Sequence, residues 1–203
     1  WKAEPKNFFW RTCFNYLLSR GVTAKDMLKY HIGYCSSGMY KGMIIFPNFD
    51  SYGKLTYFTT RSFLRNSSVK FINPPYNRNI IGFELQLNWS QPIILVESAL
   101  DAITVKRNGC PLYGTSLSST FKQACFEHGV EQIYMCLDPE AFTNSLKHSI
   151  YFMNNGIDVY YVKIPENEDV NSIGHSGIWN LIYRSKKLTQ NDLFEFQIKE
   201  MIA

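Results

Sequence analysis

The sequence has little that would staple a fold, span a membrane or bind a soft metal. Its five cysteines are Cys13, Cys35, Cys110, Cys125 and Cys136, and no two make a C-x-x-C pair. That spacing excludes a zinc-finger framework, and the odd count fits reduced, mostly buried thiols in a cytosolic protein. The histidines His31, His128, His148 and His175 are scattered, without H-x-x-x-H or H-E-x-x-H spacing, and read as surface or packing residues. The phosphate-loop pattern G-x-x-x-x-G-K-[ST] is missing, so nothing supports a helicase motor in this chain. No uninterrupted apolar run reaches about 18 residues and no signal peptide precedes the first helix, which points to a cytoplasmic protein (the host cytoplasm, if phage-encoded). Internal repeats and low-complexity segments are lacking as well. The chain opens at Trp1 instead of Met, as expected of a domain cut from something longer.

What is present is ordinary globular chemistry with a basic tilt. The 203 residues are 45% apolar, too many for disorder and enough for one large domain or two small ones. Net charge is +4, a weak pointer to an anionic partner. Aromatics reach 16%, and they serve cores and base stacking alike.

Periodicity divides the chain in two, with a tail. Trp10, Cys13, Phe14, Leu17 and Leu18 recur at helical spacing before Gly21, and Thr23 to Asp26 makes a capping-box start for a second helix. Residues 43–47 form a short apolar run. Residues 50–53 signal a turn and residues 55–63 alternate, which predicts an antiparallel hairpin. Lys70 then opens Lys-Phe-Ile-Asn-Pro-Pro, where the prolines force extended or turning chain. From residue 93 onward, continuous apolar strands (93–96, 111–113, 132–137, 159–164) alternate with helices (100–109, 119–129, 141–156). That pattern predicts an α/β fold with a parallel sheet covered on both faces. The predicted organisation is an α+β subdomain over 1–90, a Rossmann-like α/β domain over 91–176, and a helical segment or linker over 177–203.

Ligands of open α/β sheets bind at the carboxyl ends of the strands, and acids collect there. One strand ends in Glu97, another runs into Asp138-Pro139-Glu140, and a third leads to Glu168-Asp169. Asp101 follows Glu97 by four residues, about one helical turn. Asp138 and Glu140, two apart, would share a side if the segment is extended. Crowded carboxylates either take up protons or are neutralised by a cation. An oxygen-only donor set favours Mg²⁺ or Mn²⁺, and two ions suit phosphoryl transfer. Gly114, Thr115 and Ser116 follow a strand and precede a helix, so their N–H groups could face phosphate; a tight turn is the plainer role for Gly114. Asp101 and Asp169 also suit helix caps and turns.

In this order the motifs resemble the TOPRIM domain of DnaG-type primases and their phage relatives. The carriers are Glu97-x-x-x-Asp101, Gly114-Thr115-Ser116, Leu137-Asp138-Pro139-Glu140-Ala141 and Glu168-Asp169-x-Asn171. Upstream, Ile44-Ile45-Phe46-Pro47, Asp50-x-x-Gly53-Lys54, Arg61 and Lys70-Phe71-Ile72-Asn73-Pro74 resemble the basic subdomain that precedes TOPRIM in the same family. The resemblance covers residues 16–174. It implies a DNA primase, a DNA-directed RNA polymerase making short RNA on a single-stranded DNA template from ribonucleoside triphosphates. It implies Glu97, Asp138 and Glu140 as the main metal-binding acids, Asp101 and Asp169 as supporting acids, and Arg61 and Lys70 as catalytic-core residues binding nucleotide or nucleic acid. Arg78 lies near another basic position of the family. A replicative helicase or a zinc-binding module would lie outside this chain.

Three residues depart from the family pattern: Ser98 replaces a Gly, Glu140 an Asp, and Asn171 an acid. Ser98 would crowd the phosphates or donate to them. Template bases would stack on exposed aromatics such as Tyr52, Tyr57 or Phe58. Two other readings stay open. One is a different TOPRIM enzyme, such as a nuclease; the other is a non-catalytic module that binds single-stranded DNA or a replication partner.

Overall fold

The computed structural model describes residues 6–64, 67–114 and 116–202. They form two compact units that divide between Gln86 and Leu87. Among the described residues, no helix is long and apolar enough to cross a membrane.

The first unit opens with two helices, α1 (Phe8–Ser19) and α2 (Ala24–Lys29). Asn7 caps α1, its side chain accepting from the Phe9 and Trp10 N–H groups. Thr23 and Asp26 make the expected capping box on α2. Three strands follow, β1 (Gly33–Cys35), β2 (Met43–Phe49) and β3 (Leu55–Ser62), in an antiparallel sheet of that order. The β2–β3 hairpin matches the alternation in the sequence. β1 was not expected, because three residues are too few to carry a period. Asn48 is fully buried in β2. Its amide donates to the Ile81 carbonyl at 2.9 Å and its carbonyl accepts from the Phe83 N–H at 2.5 Å, which fixes the end of this unit against the hairpin. Tyr57 is buried, so it offers no face to a base; Tyr52, at the hairpin turn, is 94% exposed.

The second unit is the expected parallel sheet. Its elements are β4 (Ile93–Val96), α3 (Ala99–Val105), β5 (Gly109–Pro111), α4 (Ser119–Glu127), β6 (Gln132–Met135), α5 (Phe142–Asn154), β7 (Asp158–Tyr161), α6 (Val170–Arg184) and α7 (Gln190–Ile202). The strand order is β5-β4-β6-β7, all parallel. Right-handed crossovers place α3 on one face and α4 and α5 on the other. The packing agrees: α3 lies on α6, while Phe121 of α4 meets Phe152 of α5 edge to face at 6.3 Å. All four β4 residues, Ile93 to Val96, are buried, which is why β4 reads as an unbroken apolar run, and Ile133 of neighbouring β6 is fully buried beside them.

Two boundaries moved for a local reason. α3 ends at Val105 rather than reaching residue 109, because Lys106 takes a left-handed conformation as its C-cap. β5 therefore starts at Gly109, two residues before the expected strand. Residues 177–202 are mostly helical, in line with the helix expected over 177–203, but α6 begins earlier, at Val170, and runs through residues 176 and 177 as one element, interrupted only at Gly174 (φ 75°, ψ 170°). Ile178, Ile182 and Leu193 are buried, so this part is packed chain.

Candidate active site at the switch point of the parallel sheet

From β4 the chain crosses to β5 on one side and then returns to β6 on the other. The carboxyl ends of β4 and β6 are thus the topological switch point, where such sheets bind ligands. Glu97 leaves the end of β4 and Asp138 follows the end of β6. The structure joins them directly: the Asp138 N–H donates to Glu97 Oε1 at 3.1 Å.

Glu140 does not reach the site along an extended segment. Pro139–Ala141 is a 3₁₀ turn with Pro at its start, so the two-residue spacing places the side chains by helical geometry. Glu140 is exposed at the rim, yet close enough that its charge raises the Glu97 and Asp138 carboxyls.

Asp138 is the most perturbed acid. Burial first, then the charges of Glu97, Asp101, Asp169 and Glu140, push its carboxyl up to about 7. Its Oδ1 is buried with no hydrogen-bond partner among the described residues. Glu97 is likewise raised, mainly by burial, against the lowering effect of the Asp138 N–H.

Asp101 sits behind this pair. It is 4% exposed, and both oxygens are engaged. Oδ2 accepts from the Ser98 hydroxyl at 2.6 Å and the Ser98 N–H at 3.1 Å, and Oδ1 accepts from the Asn171 N–H at 3.1 Å. Burial outweighs these bonds and raises its carboxyl to about 6. Ser98 is thus the N-cap of α3: its hydroxyl is turned to Asp101, not held out toward a ligand. Asn171 is buried too, its amide donating to Thr104 Oγ1 at 2.7 Å. The side chain standing where an acid was expected therefore knits α6 to α3.

Asp169 caps α6, accepting the Ser172 N–H at 2.6 Å, while the Asp169 N–H donates to the Ser172 hydroxyl at 2.9 Å. Asp138, Glu140, Glu166, Glu168, Asp169 and Ser172 line an open cleft of about 460 Å³. Ser172 was not among the expected residues, although Asp169-x-x-Ser172 is a capping pattern that marks it.

Gly114 and Ser116 lie in the loop after β5, and Thr115 lies outside the described residues. The N-cap of α4 is Ser118, whose hydroxyl accepts from the Phe121 N–H at 3.0 Å. Gly114 and Ser116 thus stand ahead of the helix N-terminus and do not form it. Arg61 and Lys70 belong to the first unit. Arg61 donates from Nε to the Tyr16 hydroxyl at 3.2 Å and lies over the Phe71 ring at 4.7 Å. Lys70 is exposed, and its carbonyl accepts from the Ser62 N–H at the end of β3.

An oxygen-only cluster with one orphaned, buried carboxylate oxygen has the donor type and charge for a hard divalent cation. As they stand, no three His, Cys, Asp or Glu side chains among the described residues are close enough to hold one.

No protein-family profile matches the chain. It is similar to the DNA primase of Legionella pneumophila, with 22% identity over 231 aligned positions covering 88% of this chain. The chain spans about 40% of that relative's length. Among solved structures, a DnaG primase catalytic domain bound to ssDNA superposes with a TM-score of 0.77 at 15% identity, covering 97% of this chain and 77% of that one. This is the fold of a DnaG-type primase catalytic core. The Aquifex aeolicus primase, comprising zinc-binding and RNA polymerase domains, matches the same core with a TM-score of 0.76 at 19% identity, over 90% of this chain and 57% of that one. In this primase-type core the β4–β6 switch point holds Glu97 and Asp138, two of the three acids that the resemblance gives as the main metal binders; the third, Glu140, is exposed on the turn after Asp138.

Proposed function

We propose that this chain is the nucleotidyl-transfer core of a DNA primase, extending RNA on single-stranded DNA from ribonucleoside triphosphates. The observation that carries it is the buried, partnerless Oδ1 of Asp138 at the sheet switch point, in a carboxyl raised to about 7 by burial and four neighbouring acids. A cluster so arranged is short of positive charge, and a divalent cation supplies it. The primase-type fold and the sequence likeness to a primase favour this chemistry over strand cleavage.

Glu97, Asp138 and Glu140 would hold Mg²⁺ or Mn²⁺, two ions in all, with Asp169 at the cleft wall. Such ions, when bound, would supply the positive charge that neutralises a triphosphate and acidifies a 3′-hydroxyl. The chain's own part is to fix the acids. The Asp138 N–H orients Glu97, the Ser98–Asp101 box sets the start of α3, and Asn171 ties α6 to α3 through Asp101 and Thr104. Asp101, with both oxygens engaged, positions other groups and is not assigned as a ligand. On the first unit, Arg61 and Lys70 are assigned to binding phosphate groups. A helicase or zinc-binding module is the expected partner outside this chain.

The test is RNA synthesis on a single-stranded template with Mg²⁺ or Mn²⁺, alongside calorimetric Mn²⁺ binding. Asp138→Asn should abolish both. Metal-dependent cleavage of the template without ribonucleotides would replace this reading with a nuclease.

A further inference from the structure

We infer that the exposed side of α6 is a track for single-stranded DNA, leading away from the catalytic cleft. This rests on the primase reading for its purpose, but not for its evidence. After the kink at Gly174, three ring side chains recur every four residues on α6: His175, Trp179 and Tyr183. Four residues rise about 6 Å along a helix, so the rings form one stripe. Trp179 and Tyr183 lie 5.5 Å apart with ring planes at 42°, and His175 and Trp179 lie 6.4 Å apart.

The stripe is built, not incidental. The Trp179 indole donates to the Val105 carbonyl at 3.0 Å, and His175 Nδ1 lies 3.0 Å from the Thr104 carbonyl. Both carbonyls belong to the last turn of α3, so the polar edges are fixed while the rings stay on the surface. Tyr183 is 75% exposed and has no core to fill. A large ring left in water at the end of a fixed row is suited to stacking on a flat partner.

Charge selects the partner. No Asp or Glu occurs from residue 170 to residue 191, a stretch that carries Arg184, Lys186 and Lys187. Lys187 is paired with Asp158, and the charge of Lys186 helps lower the Asp192 carboxyl, after its bonds from Thr189. Arg107 is exposed and places its guanidinium 5.9 Å from the Trp179 ring centre. Rings interleaved with cations are the surface that unpaired bases and their phosphates recognise. The stripe begins three residues beyond Ser172, which lines the catalytic cleft, so a strand lying on it continues from that cleft.

The experiment measures binding of a fluorescent oligothymidylate of about 16 nucleotides across a salt series. Tyr183→Ala should weaken binding about tenfold. Arg107→Ala should lower the slope of log affinity against log salt by about one. Tyr183→Ala should melt close to the parent protein, because its ring is 75% exposed, separating base contact from folding. Unchanged affinity in a Tyr183→Ala, Arg107→Ala double variant overturns the track. Equal weakening toward duplex DNA also overturns it, because paired bases offer no free face. RNA synthesis by the unaltered protein is scored separately. Its absence counts against the primase reading and leaves the binding result intact.

Discussion

Asp138 donates its backbone N–H to the Glu97 carboxylate at 3.1 Å, across two neighbouring strands of the parallel sheet. The bond separates two roles of Glu97. As an acceptor it holds the start of the 139–141 turn; as an anion it is assigned to the cation. Glu97→Gln keeps an oxygen acceptor and loses the charge. It should melt near the parent temperature yet lose at least about 100-fold in RNA synthesis. Glu97→Ala leaves the Asp138 N–H without its partner and should cost a further 1–3 kcal/mol, or about that, in urea unfolding. Parental synthesis by Glu97→Gln would remove Glu97 from the chemistry.

Stability should fall as pH rises from about 4 to 7 when divalent ions are withheld. Asp138 is raised to about 7 and Asp101 to about 6 in the folded protein, against roughly 3.9 in the unfolded chain. Between those values the folded state binds more protons than the unfolded state. The contribution is fully present below pH 4 and is lost as pH climbs through the folded values. For Asp138, whose carboxyl is half open to water, the loss should be roughly 1–2 kcal/mol. Asp138→Asn should flatten this pH dependence, and Mn²⁺ should raise the melting temperature more at pH 7.5 than at pH 5. A parent protein equally stable at both pH values without metal would count against the crowded-acid picture.

The acids at strand ends were legible because β4 is buried along its whole length and reads as an unbroken apolar run, and because β6, though every second residue is only half-buried, continues through buried Cys136 and Leu137 to Asp138. What the sequence concealed was set by long-range packing. That β4 and β6 are neighbours follows from pairing between residues some 40 apart, which no local period encodes. Pro139 fits an extended link in local sequence, but Pro also opens helical turns, as it does here. Ser98 and Asn171 were read only as departures from a family pattern. Their hydrogen bonds to Asp101 and Thr104 became visible once α3 and α6 were placed side by side. Thr23 to Asp26 was readable because both partners of that cap are local.

Asn171→Asp puts in place the acid that the family pattern calls for, and it should destabilise the fold and not add a metal ligand. The Asn171 amide donates to Thr104 Oγ1 at 2.7 Å, and that hydroxyl already donates to the Leu100 carbonyl at 2.9 Å. A carboxylate there faces an oxygen whose proton is committed, and it adds charge beside Asp101. The expected cost is about 1–3 kcal/mol, larger at pH 8 than at pH 5 because only the ionised form repels. Thermal melts at both pH values measure it. A variant as stable as the parent at pH 8 would mean that Thr104 can turn its hydroxyl without loss.

Gly109 controls how closely β5 approaches α3, the helix whose first turn carries Ser98 and Asp101. A Cβ on Gly109 would lie 2.8 Å from the Ala102 carbonyl oxygen and 2.9 Å from the Ala102 Cα. Both are backbone atoms inside a helix, so no rotamer change relieves the clash and the helix itself must shift. Gly109→Ala should therefore cost about 1–3 kcal/mol and, by moving α3, weaken Mn²⁺ binding as well. Gly33 is the control, since a Cβ there meets nothing within 4 Å. Gly33→Ala should be neutral or stabilising by about 0.5 kcal/mol through a stiffer unfolded chain. Urea unfolding of the two variants side by side is the measurement. Equal stability would show that α3 has room to yield, and that the spacing behind the acid pair is not set by this glycine.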